Sequence, residues 1–298
     1  MRVLAVAITY HPDTALLADM LASVAPQVQG TAVIDNGSAN AEDVGRIASA
    51  VGARLLANDQ NIGIAAAQNQ GVDLARQGGF SHVLLLDQDT VLSPGVVADL
   101  STQWQALERE QGGVAAVGPA YYEKHSQQQT RAYRAAGPRI SRISLDARTE
   151  PVASDFIIAS GSLIPLAVFE KVGRFKEDLF IDLVDVDWCF RARAAGYVSY
   201  ISPTAAVDHH LGKGTVRVGA RRIAVHVPIR NYYWVRNALW LARQHYTPLA
   251  WRLYFISRSL AFLGAYTTLA DERALRMRLI ARGIWDSLNG HLGPLRQP

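Results

Sequence analysis

Over its first 120 residues the sequence alternates short apolar runs with stretches whose apolar residues recur at helical spacing. Val3–Thr9 is a continuous apolar run closed by His11-Pro12, the form that a buried parallel strand takes. Leu16, Leu17, Met20, Leu21 and Val24 then follow a helical period. Thr31–Ile34 reads as a second strand. It ends in the turn sequence Asp35-Asn36-Gly37-Ser38, with Ser38 or Asn40 available to cap a helix over Ala41–Val51. Next come a strand near Arg54–Ala57 and a helix over Ala65–Arg76, stopped by Gly78-Gly79. A strand at His82–Leu86, a helix starting near Pro94 and a strand at Val114–Gly118 complete the series. This alternation predicts an α/β fold with a mostly parallel sheet and helices on both faces. Such sheets bind ligands beyond the carboxyl ends of their strands. Asp35, the Asn58–Gly63 loop and Asp87–Asp89 therefore become site candidates.

The rest of the chain differs in character. Residues 119–150, rich in Gln, Arg and Ser, read as a long loop or a hairpin insertion, and residues 208–228 as basic, Gly-containing and irregular. Residues 231–290 read as two or three helices broken at Pro248 and near Asp271. The net charge of +4 conceals an asymmetry. Residues 209–298 hold 14 Lys and Arg against 3 Asp and Glu, whereas residues 1–208 hold 16 against 23. A basic tail on a mildly acidic body suggests an anionic partner: a membrane face, a phosphorylated glycan or nucleic acid. A solvated helical surface is the alternative. Leu249–Ala270, the most apolar stretch, is interrupted by Arg252 and Arg258 and falls short of the roughly 20 apolar residues that span a bilayer. Aromatics interleaved with arginine fit helices lying at a membrane surface, or equally a helical cap packed on the sheet domain. With 49% hydrophobic and 19% charged residues, the 298-residue chain suits one large α/β domain, 1–228, and a helical extension, 229–298. No basic leader precedes the first apolar run, so no signal peptide is expected. The lone Cys189 is expected to be buried in a cytoplasmic protein.

Two carboxylates one residue apart at the end of a buried strand, as in Asp87-Gln88-Asp89, are costly to hold together without a cation. Mg²⁺ or Mn²⁺ suits such a site, with further ligands from phosphate and water, and would stabilise a departing diphosphate. A turn-and-cap pair ahead of Pro94 is the plain alternative; the position after His82–Leu86 in an α/β series favours the metal. Asp35 suits the imide N–H of uracil or thymine, or a local capping role. Asn61-Ile62-Gly63, with Asn69 beyond it, opens a helix whose N-terminus favours phosphate, although Asn and Gly mark loops in general. Within Phe180–Arg191, Asp185 reads as the N-cap of a helix running to Ala195, and Asp187 with Arg191 as a surface i,i+4 pair. Asp185 is then the first choice for a general base toward an attacking hydroxyl, with Asp182 in reserve. Asp208-His209-His210 offers a metal ligand, or two partly exposed histidines before a Gly-Lys-Gly segment. A metal-dependent phosphoesterase would want further His/Asp pairs near the N-terminus, and none is present.

With these residues in place, the chain resembles the family 2 glycosyltransferases, which have the GT-A fold. The resemblance covers roughly residues 3–237. It rests on Ala7-Ile8-Thr9-Tyr10, Asp35-Asn36-Gly37-Ser38, Asn61-x-Gly63 with Asn69, Asp87-Gln88-Asp89, and Gly161-Ser162. It continues in Asp185-Val186-Asp187 with Arg191, His209 three residues before Gly212, and Arg230-x-Tyr232-Tyr233-x-x-Arg236-Asn237. The resemblance implies that Asp35 holds the nucleotide base, that Asp87, Asp89 and His209 serve the metal, and that Asp185 is the base. It further implies a nucleotide-sugar site including Thr9, Asn61, Gly63, Asn69, Asp87, Gln88 and Arg236. The family often has Glu-Asp where this chain has Val184-Asp185, so one acid of the two is retained, with Asp182 as a compensating acid. Leu86-Asp87-Gln88-Asp89-Thr90, together with Phe180-Ile181-Asp182, is similar to the rhamnosyltransferase branch. That implies inverting transfer from dTDP-L-rhamnose, or another dTDP- or UDP-sugar, with Mg²⁺ or Mn²⁺. The implied acceptor is a bacterial surface glycan of lipopolysaccharide core or O-antigen type, a rhamnolipid, or another lipid-linked glycan, reached from the cytoplasmic face of the inner membrane, with no nucleic-acid partner.

Rival classes fit less well. A nucleotidyltransferase should carry a Gly-rich, basic loop after the first strand, where this chain has Tyr10-His11-Pro12-Asp13. A nicotinamide oxidoreductase needs Gly-x-Gly-x-x-Gly there, and none occurs. A non-catalytic glycan-binding module would leave the carboxylates and the Asn-x-Gly loop without a shared purpose.

Overall fold

The structure, a computed structural model, describes residues 1–123, 128–209, 215–218, 221–224, 227–268 and 272–295. Its first part repeats strand and helix: β1 (Val3–Thr9), α1 (Thr14–Val24), β2 (Gly30–Asp35), α2 (Ala41–Ala50), β3 (Arg54–Ala57) and α3 (Ile64–Gln77). Then follow β4 (His82–Asp87), β5 (Thr90–Leu92), α4 (Val96–Glu110), β6 (Val114–Glu123) and β7 (Gln128–Gln129). A hairpin of β8 (Ala132–Ala136) and β9 (Arg139–Ile143) is followed by β10 (Val152–Ser154), β11 (Leu163–Pro165), α5 (Leu166–Val172), α6 (Val184–Ala194) and β12 (Val198–His209). A second hairpin, β13 (Thr215–Val218) and β14 (Arg221–Ala224), precedes α7 (Pro228–Leu241), α8 (Leu249–Thr268) and α9 (Arg273–Leu288).

The main sheet has the order β10-β12-β6-β11-β4-β1-β2-β3, with β5 against β12 and β7 against β6. β4, β1, β2 and β3 are mutually parallel, whereas β11 enters antiparallel between β4 and β6. The unbroken apolar character of β1 follows from burial on both faces. Leu4, Val6 and Ile8 enter one core with residues of α3, α5 and α6, while Val3, Ala5 and Ala7 enter another with α1, α2 and α4. The helix α1 contributes Leu17, Met20, Leu21 and Val24, all fully buried. Such side chains each stabilise the fold by about 1.5–3 kcal/mol. A third cluster joins Val186 and Phe190 of α6 and Ala135 of β8 to Ala238, Leu241, Trp251 and Phe255 of α7 and α8. The C-terminal helices are thereby packed on the sheet domain; the break expected at Pro248 falls between α7 and α8, and Asp271, where the other was expected, lies outside the described residues. None of the described helices is long and apolar enough to cross a membrane. Cys189 is buried, as expected.

Some local expectations need correcting. Asp13, on which no expectation rested, caps α1: its Oδ1 accepts from the N–H groups of Ala15 (2.9 Å) and Leu16 (3.2 Å). Neither Ser38 nor Asn40 caps α2 with its side chain, because Ser38 turns to Asp35 and the Asn40 amide donates to the Pro12 carbonyl. Residues 119–150 contain the β8–β9 hairpin, one of the two expected forms. Part of the segment expected to be irregular, 208–228, forms the β13–β14 ladder instead. Its alternation of Val216, Arg217 and Val218 is a strand pattern masked by flanking Gly and Lys.

Candidate active site

Register brings the ends of three parallel strands to one level, with Thr9 opposite Asp35 and Ile8 opposite Asp87. Beyond them opens a cleft of about 610 Å³, lined among others by Thr9, Asn61, Asp87, Asp89, Asp185 and Arg230. β4 stops at Asp87 and the chain turns through Gln88 and Asp89 into β5. That turn is pinned on both sides. The Asp87 N–H donates to Ser160 Oγ at 2.9 Å, and the Ser160 and Thr90 hydroxyls meet at 2.8 Å. Gln88 Oε1 accepts from the Tyr10 N–H at 2.8 Å. Burial, reinforced by the charge of Asp89 and opposed by Arg230, pushes the Asp87 carboxyl up to about 6.

Asp185 faces the same cleft from the first turn of α6. It is not the N-cap expected from sequence. Leu183 holds that position at φ 63°, so the helix starts at Val184. The carboxylate of Asp185 accepts instead from the N–H of Val186 (2.8 Å) and of Ala159 (3.3 Å). Burial outweighs these two bonds and, with repulsion from Asp87, holds the Asp185 carboxyl at about 6. Phe180, Asp182 and Leu183 all adopt left-handed φ, at 65°, 66° and 63°. Non-glycine residues pay roughly 1–2 kcal/mol each for this conformation, so the neighbours must enforce it. They do: Asn237 Nδ2 donates to the carbonyls of Leu179 (3.0 Å), Ile181 (2.8 Å) and Asp182 (2.8 Å). Arg230 forks onto both oxygens of Asp182, the Nε contact being 2.7 Å.

The other expected site residues divide. Asn61 Oδ1 accepts from the N–H of Gly63 (2.9 Å) and from the Asn36 amide (3.0 Å), so it shapes the loop at the cleft wall. Gly63 has φ 89°, and a Cβ there would meet Phe180 at 2.7 Å, so only glycine fits. Asp35 is fully buried, accepting from the hydroxyls of Thr9 (2.8 Å) and Ser38 (2.5 Å) and from the Ser38 N–H (2.9 Å). Asn69 points away from the cleft and ties α3 to Phe175 and Glu177. Arg236, wholly buried, binds the Leu179 carbonyl at 2.9 Å together with those of Asp178 and Gly293. Asp187 is also wholly buried, which corrects the expected surface pair. Besides Arg191 Nε at 2.9 Å it accepts from the Tyr246 hydroxyl at 2.5 Å, a residue of the C-terminal extension that covers it.

Asp87 and Asp89 present hard oxygens and like charges to an open cleft, a donor set that fits Mg²⁺ or Mn²⁺ completed by phosphate and water. Among the described residues no three His, Cys, Asp or Glu side chains enclose a metal by themselves. The backbone of His209 pairs opposite Thr90, next to Asp89, while its side chain lies outside the described residues, as does His210. Arg230, Asn237 and Ser160 were not given roles from sequence. Arg230 and Asn237 are seven residues apart in the quoted motif, two turns of one helix face, and that spacing was the available signal. Ser160 left no local mark.

A family model described as "Glycosyl transferase family 2" matches residues 5–173. The chain belongs to glycosyl transferase family 2. This glycosyltransferase is 29% identical over 270 residues to a "dTDP-rhamnosyl transferase RfbF" of Shigella flexneri, covering 90% of the chain and 88% of the relative. It is 26% identical over 306 residues to an "N-acetylglucosaminyl-diphospho-decaprenol L-rhamnosyltransferase" of Mycobacterium tuberculosis, covering 92% and 96%. Among solved structures, GalNAc-T7 with UDP, GalNAc and Mn²⁺ is similar at TM-score 0.59 and 12% identity, over 98% of this glycosyltransferase and 58% of that chain. S. aureus TarS 1–349 with UDP-GlcNAc is similar at TM-score 0.57 and 14% identity, over 96% and 81%. The fold is thus GT-A, as the sequence motifs imply.

Proposed function

We propose that this glycosyltransferase moves L-rhamnose, with inversion, from dTDP-L-rhamnose to a hydroxyl of a bacterial surface-glycan acceptor. Mg²⁺ or Mn²⁺ would be held by Asp87 and Asp89. The observation that supports this most is the meeting of Asp87, Asp89 and Asp185 in one cleft beyond the strand ends, two of them with carboxyl groups near 6. The sugar is supported by the two relatives, whose names specify rhamnosyl transfer.

The nucleotide lies over the ends of β1 and β2, where Thr9 and Asn61 line the cleft, with the N-terminus of α3 toward the phosphates. Asp35 shapes the base-binding end by holding Thr9 and Ser38. A bound divalent cation supplies electrostatic stabilisation of the leaving diphosphate. Asp185 accepts the proton of the attacking hydroxyl; a carboxyl near 6 is ionised at neutral pH yet more basic than an ordinary aspartate. Asp182, neutralised by Arg230, holds the loop that carries Asp185 rather than sharing its role. With one base for the acceptor hydroxyl and the cation on the side of the diphosphate, transfer is a single in-line displacement, so a β-linked donor yields an α-linked product.

The test measures dTDP release and product configuration with the purified chain. Mg²⁺ or Mn²⁺ should support release from dTDP-L-rhamnose and EDTA should abolish it, while Asp89→Ala lowers it on the order of 10²-fold. Full activity in chelator would remove the metal from the mechanism. Release from other nucleotide sugars but not from dTDP-L-rhamnose would reassign the donor, and a β-linked product would overturn inversion.

A further inference from the structure

A second cavity, of about 780 Å³, opens between the β8–β9 hairpin and α8. Its floor is aromatic: Tyr133 and Phe156 stack with centroids 5.6 Å apart, and Trp251 meets both edge-on. Along its α8 wall Leu253, Ile256 and Leu260 stand 49%, 44% and 65% exposed. Apolar surface gathered into a concave groove of this size is the usual form of a site for an apolar ligand.

Where the groove leads identifies its occupant. Leu183 lines both the groove and the catalytic cleft, one residue past Asp182 and two before Asp185. A molecule seated in the groove therefore reaches, at Leu183, the wall that the groove shares with the cleft of Asp185. A nucleotide sugar carries phosphates and hydroxyls and gains little from an aromatic floor, which leaves the acceptor. We propose that the groove holds the hydrocarbon chain of an amphiphilic acceptor whose polar head enters the cleft at Asp185. This rests on the transferase reading above. Arg142, lining the groove, supplies a cation suited to a phosphorylated head, whereas Arg230 is committed to Asp182.

The test titrates the full chain with n-alkyl diphosphates, from butyl to dodecyl, kept below micelle formation. Quenching of tryptophan fluorescence is the readout, since Trp234 and Trp251 line the groove. Each added methylene should tighten binding by roughly two- to fourfold until the groove is filled. Ser257→Trp, an indole introduced at an exposed groove position, should flatten that dependence while leaving dTDP binding and dTDP-L-rhamnose hydrolysis unchanged. Ile256→Arg should do the same by placing a charge in the groove. Affinity independent of chain length, or an unaltered series in both variants, would overturn the proposal. So would a flat series combined with phosphatidylglycerol-vesicle binding that Ser257→Trp abolishes, which would give the groove to the bilayer. Failure to bind dTDP or hydrolyse the donor would count against the transferase reading alone, because the alkyl series reads the groove directly.

Discussion

Asp87 and Asp185 each hold a carboxyl near 6, against about 4 in an unfolded chain, chiefly because burial disfavours their charge. The folded protein therefore keeps protons that the unfolded chain has released. Between about pH 4 and 6 stability falls as pH rises, and above 6 the full penalty is present. Asp87→Asn removes one such charge, so it should raise Tm at pH 7.5, by a stability gain on the order of 1–3 kcal/mol. The gain should vanish below pH 4, where the aspartate is protonated in both states; thermal unfolding at the two pH values checks this. Catalysis responds to pH in the opposite sense. Transfer should fall as pH drops through about 6, because a protonated Asp185 cannot accept the acceptor's proton. Asp185→Asn should lower kcat by roughly 10²- to 10⁴-fold with dTDP affinity unchanged, measured by calorimetry beside initial rates. That Asp87 and Asp89 lie at a cleft was legible from residue type and place, since a carboxylate after a buried strand needs a reason; Asp185 was placed near the start of its helix, but as a cap that Leu183 provides instead. The burial of Asp187 was not legible, because its cover, Tyr246, lies 59 residues away.

At the scale of elements, the segment from Leu179 to Leu183 and the helix α7 act as one device. Phe180, Asp182 and Leu183 hold left-handed φ here because one amide, that of Asn237, serves the carbonyls of Leu179, Ile181 and Asp182 in the same segment. Asn237→Ala takes that donor from the carbonyls of Ile181 and Asp182, while Leu179 keeps Arg236, at a cost of about 1–3 kcal/mol each at most. It should lower Tm and kcat together while sparing dTDP affinity; a normal kcat would show that the loop keeps its shape without the amide. The βα alternation was readable because each strand and helix announces itself over a few neighbours, through apolar runs and helical spacing. The left-handed loop was not, because Phe180-Ile181-Asp182-Leu183 has no glycine to mark it. Asn69 and Arg236 were recognisable within motifs, but their function as ties between segments depends on contacts 106 and 57 residues away along the chain.

Across the whole molecule, the basic extension and the exposed apolar residues of α8 lie in the same part of the chain. We expect the protein to float with phosphatidylglycerol vesicles at low ionic strength and to be released by about 0.5 M salt, well past the range where charges reach one another. Indifference to such vesicles at low salt would make the extension a cap alone. The grip of α7 on the catalytic loop bears on how such proteins diversify. In a modular enzyme a C-terminal piece can be exchanged between lineages to recruit a new acceptor. Here an exchange would also replace the helix that carries Arg230, Arg236 and Asn237, and with it the fit that sets the posture of the loop before Asp185. New acceptor preferences must then arise by point changes within an inherited whole, and chimaeras joined at residue 228 between distant relatives should be inactive even when both parents work.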